Sequence, residues 1–147
     1  MITSARGAAA GGFGTALLVA LAGCGSGSRY AFAEVEGKVT FKNRPLCGVI
    51  VRFYPDFDDG EQRPYATGTT DVTGSYKLTS MNGEAGALVG RHRVVVSWPP
   101  PDRNPDKAPP PPPYPPIPLK YTVADLTPLV VTVNEDGPQT INLQLTP

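Results

Sequence analysis

Few residues in this 147-residue chain have chemistry to offer: Cys24, Cys47, the single histidine His92, and four acids, Asp56, Asp58, Asp59 and Glu61, around Gly60. A lone imidazole removes most metal and acid–base chemistry built on clustered histidines. A Ser-His-Asp arrangement would have to use His92, which alternates with Val94 and Val96 and so points to the core as a structural residue. Oxygen ligands about a glycine turn can hold Ca²⁺. This spacing departs from the EF-hand loop, and acids in a turn between strands are expected to be solvated. Asp71, before Val72-Thr73-Gly74, reads as a turn former. No Gly-rich phosphate loop opens a helix, and no Cys/His set has metal-ligand spacing. No metal or cofactor is expected. Lys plus Arg is 13 and Asp plus Glu is 13, so no global field recruits nucleic acid.

Cys24 closes a distinctive start. Arg6 precedes an apolar stretch from Phe13 to Ala22, and no acid occurs before Glu34. A charged start, a short apolar middle and small residues at the cut are the layout of a secretory leader. Its middle, roughly ten residues, is well short of the about 20 that span a bilayer as a helix. Leu21-Ala22-Gly23-Cys24 resembles the lipobox of bacterial lipoproteins at all four positions. The resemblance implies a signal peptide over residues 1–23, cleavage before Cys24, a diacylglyceryl thioether on its sulfur and an acyl chain, such as palmitate, on its amine. The mature protein would then sit in the cell envelope, anchored to a membrane and facing the periplasm or the exterior. Two or three acyl chains give stable anchoring where one does not. Residues 24–32, with Gly25-Ser26-Gly27-Ser28, form a flexible tether. With Cys24 alkylated, Cys47 has no disulfide partner and reads as a small buried hydrophobe.

The elements that must position these residues follow a two-residue rhythm. Val35, Gly37, Val39 and Phe41 alternate with Glu36, Lys38, Thr40 and Lys42, one face apolar and the other charged. Val49, Val51 and Phe53 point one way, and Ile50, Arg52 and Tyr54 the other. Residues 66–70 and 76–78 continue around the Asp71 turn, followed by 91–98, 129–133 and 141–145. Gly 16 and Pro 18 argue against a helical bundle, because both destabilise helix interiors. Seven short alternating strands with Gly and Pro turns indicate an all-β antiparallel β-sandwich over residues 33–147.

Residues 99–118 interrupt the pattern. They include Pro109 to Pro113 in one run and cannot pair as a strand, since proline lacks the donor. Polyproline II is expected, rising about 3.1 Å per residue as a stiff projecting loop. Such a loop serves either as a spacer between strands or as a ligand for an aromatic-lined groove on a partner, with Pro111, Pro112, Tyr114 and Pro115 as contacts.

Ordered motifs over residues 35–145 carry a second resemblance. Glu36-Gly37-Lys38-Val39-Thr40-Phe41, Arg44-Pro45-Leu46 and the run from Val49 to Pro55 are similar to the opening of carboxypeptidase regulatory-like domains. Thr70-Asp71-Val72-Thr73-Gly74-Ser75-Tyr76-Lys77-Leu78 is similar to that family's hairpin, and Gly90-Arg91-His92-Arg93-Val94-Val95-Val96 to its later strand. Asn43 stands where the family often has Gly, and Cys47 at a usually apolar or Pro site. The resemblance implies a transthyretin-like (prealbumin-like) sandwich without catalytic residues. The expected protein is thus a non-catalytic, lipid-anchored envelope module whose partner is an unidentified envelope protein or polysaccharide. The alternative is a carbohydrate-binding sandwich that stacks sugars on three coplanar rings drawn from Tyr54, Tyr65, Trp98, Tyr114 and Tyr121.

Overall fold

A computed structural model describes residues 29–100, Asn104, Asp106 and 116–147. Alternation becomes strand wherever one face can be buried. In chain order the strands are β1 (Phe32–Ala33), β2 (Val35–Phe41), β3 (Arg44–Pro45), β4 (Ile50–Pro55), β5 (Ala66–Thr69) and β6 (Ser75–Lys77). They continue as β7 (Thr79–Ser80), β8 (Ala87–Leu88), β9 (Gly90–Ser97), β10 (Val130–Val133), β11 (Gln139–Thr140) and β12 (Leu143–Leu145). A single helical turn, α1 (Leu119–Thr122), lies between β9 and β10. The chain is therefore all-β in character, and its seven expected runs each contain strand. The short pieces β1, β3, β7, β8 and β11 are additional, and the last expected run, 141–145, holds β12.

One sheet runs β10-β9-β4-β5-β7, antiparallel at every contact. A second five-stranded sheet is built on β2, which takes β3 and β6 antiparallel along one edge, and β1 and β8 form a separate antiparallel pair. Along its other edge β2 takes β11 and β12 parallel, with Gln139 opposite Val35 and Leu143 opposite Val39. This departs from the antiparallel arrangement expected throughout. The reason is the connection: residues 134–138 carry the chain from β10 in one sheet to β11 in the other, and a crossing chain need not reverse direction as a hairpin must. The loop is closed by the Gln139 amide, which accepts from Asn134 N (3.1 Å) and donates to Asn134 O (2.9 Å).

The Asp71 turn also crosses between sheets. Residues 75–80 pair with β2 through β6 and then with β5 through β7. Switching sheets at a bend is how packed sheets share a corner. The inward faces meet in one apolar core that includes Val35, Val39, Val51, Phe53, Val94, Val96, Leu143 and Leu145. Tyr121 of α1 joins it, and its hydroxyl meets Thr146 N (2.9 Å), tying the helical turn to the end of β12. Thr127 Oγ1 donates to Val94 O (2.7 Å) and Val94 N to Leu129 O (2.8 Å), so residues 119–129 cover the edge of β9 beyond β10. No helix among the described residues is long and apolar enough to cross a membrane.

The parallel seating depends on one glycine. A Cβ at Gly37 would stand 1.9 Å from the Ile141 carbonyl oxygen. The Tyr76 hydroxyl donates to that same oxygen, and burial raises its pKa well above the usual phenol value. Asn142 Oδ1 accepts from Lys38 N (3.0 Å), continuing the ladder between β11 and β12. Gly37→Ala is expected to cost about 3 kcal/mol in urea unfolding through forced strand separation. Gly83→Ala, at a positive φ with open space around it, costs about 1 kcal/mol. Tyr76→Phe costs about 1–2 kcal/mol through the orphaned carbonyl. A Gly37→Ala variant no weaker than Gly83→Ala contradicts this account of β2.

Candidate functional site

Cys24, Leu21, Ala22 and Gly23, and the loop residues Pro111, Pro112, Tyr114 and Pro115, lie outside the described residues. The structure describes the two regions that adjoin them: the start of the described chain at Arg29, and the foot of the proline-rich segment.

The chain docks on the acidic loop. Arg29 pairs with Glu61, and the Tyr30 hydroxyl donates to the same carboxylate at 2.8 Å. Arg63 bonds Asp59 and approaches Glu61 (3.4 Å), while its guanidinium lies 4.0 Å from the Phe57 ring centroid. The Arg63 hydrogen bond holds the Asp59 carboxyl below its ordinary pKa. Asp56 is held by Arg91 Nε (3.3 Å) and Arg93 Nε (3.2 Å). Three of the four acids expected to be solvated, Asp56, Asp59 and Glu61, are also paired with arginines from three parts of the chain, while Asp59 and Glu61 keep much of their exposure. Among the described residues no three His, Cys, Asp or Glu side chains are grouped to hold a metal. Domain contacts also begin earlier than residue 33: Arg29 and Tyr30, read as tether, contact Glu61, and Phe32 pairs with Leu88.

Asp71 organises its turn, accepting from Thr73 N (2.8 Å), Thr73 Oγ1 (2.7 Å) and Ser75 N (3.0 Å). These hydrogen bonds, led by the Thr73 hydroxyl, lower its pKa.

His92 is fully buried, and its Nε2 donates to Leu88 O at 2.6 Å. Its ring packs against Phe53 with centroids 5.7 Å apart. A carbonyl only accepts, so Nε2 carries the proton of the neutral ring. Nδ1 has no hydrogen-bond partner among the described residues. Burial pushes the imidazole pKa below its ordinary value.

Cys47 corrects its sequence reading: it is exposed. Thr70 Oγ1 donates to Leu46 O (2.6 Å) and accepts from Val49 N (3.0 Å), fixing Leu46 and Val49 inward. The two residues between them are pushed out, with Gly48 at φ +80°.

The aromatic residues do not share a face. Tyr54 and Tyr65 pair at 5.1 Å with their planes 37° apart, Tyr121 is buried, and Trp98 follows the opposite end of β9. No three of these rings tile one exposed surface among the described residues, and Tyr114 lies outside them.

At the Trp98 end lies an open groove of about 1100 Å³, which sequence reasoning missed. Phe41, Pro45, Leu46, Trp98, Pro116 and Pro118 give it apolar walls, and Lys42 and Arg44 stand beside them. The two-residue turn joining β2 to β3 presents these cations. Lys42 (φ 50°) and Asn43 (φ 62°) are both left-handed, as a tight primed hairpin turn requires. Asn43 Oδ1 accepts from Gln144 Nε2 (3.1 Å), bracing the turn against β12. Asn tolerates this conformation where the resembled family often uses Gly.

No protein-family model matches the chain, and neither a curated protein nor a solved structure matches it.

Histidine in an unfolded chain titrates near pH 6.5, whereas His92 titrates lower when folded. Below about pH 6.5 the unfolded chain takes a proton that the folded chain refuses, so stability is full above that pH and falls beneath it. The slope reaches at most about 1.4 kcal/mol per pH unit. His92→Phe is expected to flatten this part of the profile in denaturation measured between about pH 7 and 5. An unchanged slope in the variant contradicts the burial account.

Proposed function

We propose that the protein is a lipid-anchored, non-catalytic binding or structural module of a bacterial cell envelope, carried on a transthyretin-like β-sandwich. The observation that carries this reading is Leu21-Ala22-Gly23-Cys24 at the end of a short apolar stretch. Acylation at Cys24 would hold the chain on a membrane facing the periplasm or the exterior. Two five-stranded sheets around one core support the sandwich form. Burial of the single histidine against Leu88 O and Phe53 supports a non-catalytic role.

Docking of Arg29 and Tyr30 on Glu61 supports an orientation. Only residues 25–28 separate Cys24 from Arg29, a span of at most about 18 Å. The end of the domain carrying the acidic loop would therefore lie close to the bilayer. The groove would lie at the far end of β4, whose six residues rise about 20 Å. The groove would face away from the anchoring membrane, toward an envelope protein or polysaccharide.

Metabolic labelling with a fatty-acid analogue tests the anchor: the wild type is expected to be labelled and Cys24→Ala to lose the label. Undiminished labelling of that variant refutes the anchor. For the partner role, removing residues 99–116 is expected to abolish specific crosslinks in intact envelopes. An unchanged crosslinking pattern would leave the segment a spacer.

A further inference from the structure

The groove has a chemistry of its own. Phe41, Leu46, Trp98 and four prolines supply apolar contact, and Lys42 and Arg44 supply positive charge. Among the described residues no Asp or Glu side chain lines it, neither cation has an ion-pair partner, and the main-chain oxygen of Pro147, which also lines the groove, accepts from Lys120 Nζ instead (3.1 Å). Lys42 instead lies 5.4 Å from the Phe41 ring centroid, at the edge of the apolar wall. A charged rim without its counter-charge favours an anionic occupant.

Among the described residues the lining also lacks Ser, Thr, Asn and Gln side chains. A sugar needs paired donors and acceptors for its hydroxyls, and these walls offer it few. The groove is open rather than enclosed, whereas sites for small ligands bury most of the ligand surface. An extended polypeptide fits both properties. It lays apolar side chains along the walls, sets carboxylates against the rim, and continues past either end.

We propose that this groove docks an acidic, apolar segment of a partner protein in extended conformation. The choice of a peptide over a lipid surface rests on the anchored reading above, under which the groove faces away from the bilayer.

The molecule carries its own reporters. Trp98 is its only tryptophan, and the Cys47 thiol lines the groove. The probe is a blocked octapeptide of leucine, proline and glutamate, compared with the same peptide carrying glutamine for glutamate. Binding to the full-length, unacylated chain is followed by Trp98 emission and by alkylation of Cys47, read by peptide mapping. The glutamate peptide is expected to blue-shift the emission, slow the alkylation, and bind about fivefold more tightly than the glutamine peptide, as two exposed charge pairs allow. The double variant Lys42→Gln, Arg44→Gln is expected to erase that preference and to leave the emission of the free protein unchanged.

Equal binding of the two peptides, or no response to either, overturns the proposal. So does a Trp98 shift produced by phosphatidylglycerol vesicles and not by the peptide, which would make the groove a lipid-facing surface. So, too, does release of Cys47 on deleting residues 107–115 with no further protection by peptide, which would give the groove to the chain's own segment. These readouts need no acyl group, so failure of Cys24 labelling is scored separately.

Discussion

The Ile141 carbonyl meets β2 at the one position where the strand has no side chain. Gly37 leaves a gap that any Cβ would close, the carbonyl enters it, and the Tyr76 hydroxyl caps the oxygen from β6. Three parts of the chain, separated by tens of residues, are thereby locked at one point. β2 is paired on both edges as a result, and neither edge is left open as a template for another chain.

The rest of the molecule is arranged about that locked strand. β2 runs from the neighbourhood of the first docking contacts to the turn at Lys42 and Asn43, so one end of the domain receives the chain and the other presents the groove. The receiving end is braced by arginines on acids, none of them deeply buried. Exposed pairs of this kind individually contribute little. Their effect is to give the loop one shape, with Arg63 laid over Phe57 and Phe57 against the bare Cα of Gly90. At the presenting end, bracing comes from Thr70 under Leu46 and from Gln144 against Asn43. Cations and thiol stand outward there because their neighbours are fixed inward.

The rhythm of the core strands was legible because burial on one face leaves a mark at every second residue: Val35, Val39, Val51, Phe53, Val94 and Val96 all fall inside. Asp71 was legible for a local reason, since its partners lie two and four residues away. What escaped was non-local. Alternation does not say which sheet a strand joins, so the change of partner between Lys77 and Thr79 and the parallel seating of the last strands left no mark. The outward placement of Cys47 depends on Thr70, 24 residues beyond Leu46. The groove needs residues from Phe41 to Cys47, Trp98, Pro116, Pro118 and Pro147 together, and no single window holds them. α1, at four residues, is shorter than any helical period the pattern could reveal.

Native-state hydrogen exchange at the Ile141 amide tests the locked strand most directly. That amide donates to Glu36 O at 2.8 Å, beside the Gly37 gap. If β2 and the final strands form one cooperative unit with the other sheet, the Ile141 amide exchanges only through global unfolding, with the same opening free energy as the Val94 amide. An opening free energy for Ile141 more than about 2 kcal/mol below that of Val94 would mean that the final strands detach on their own, and would contradict the account.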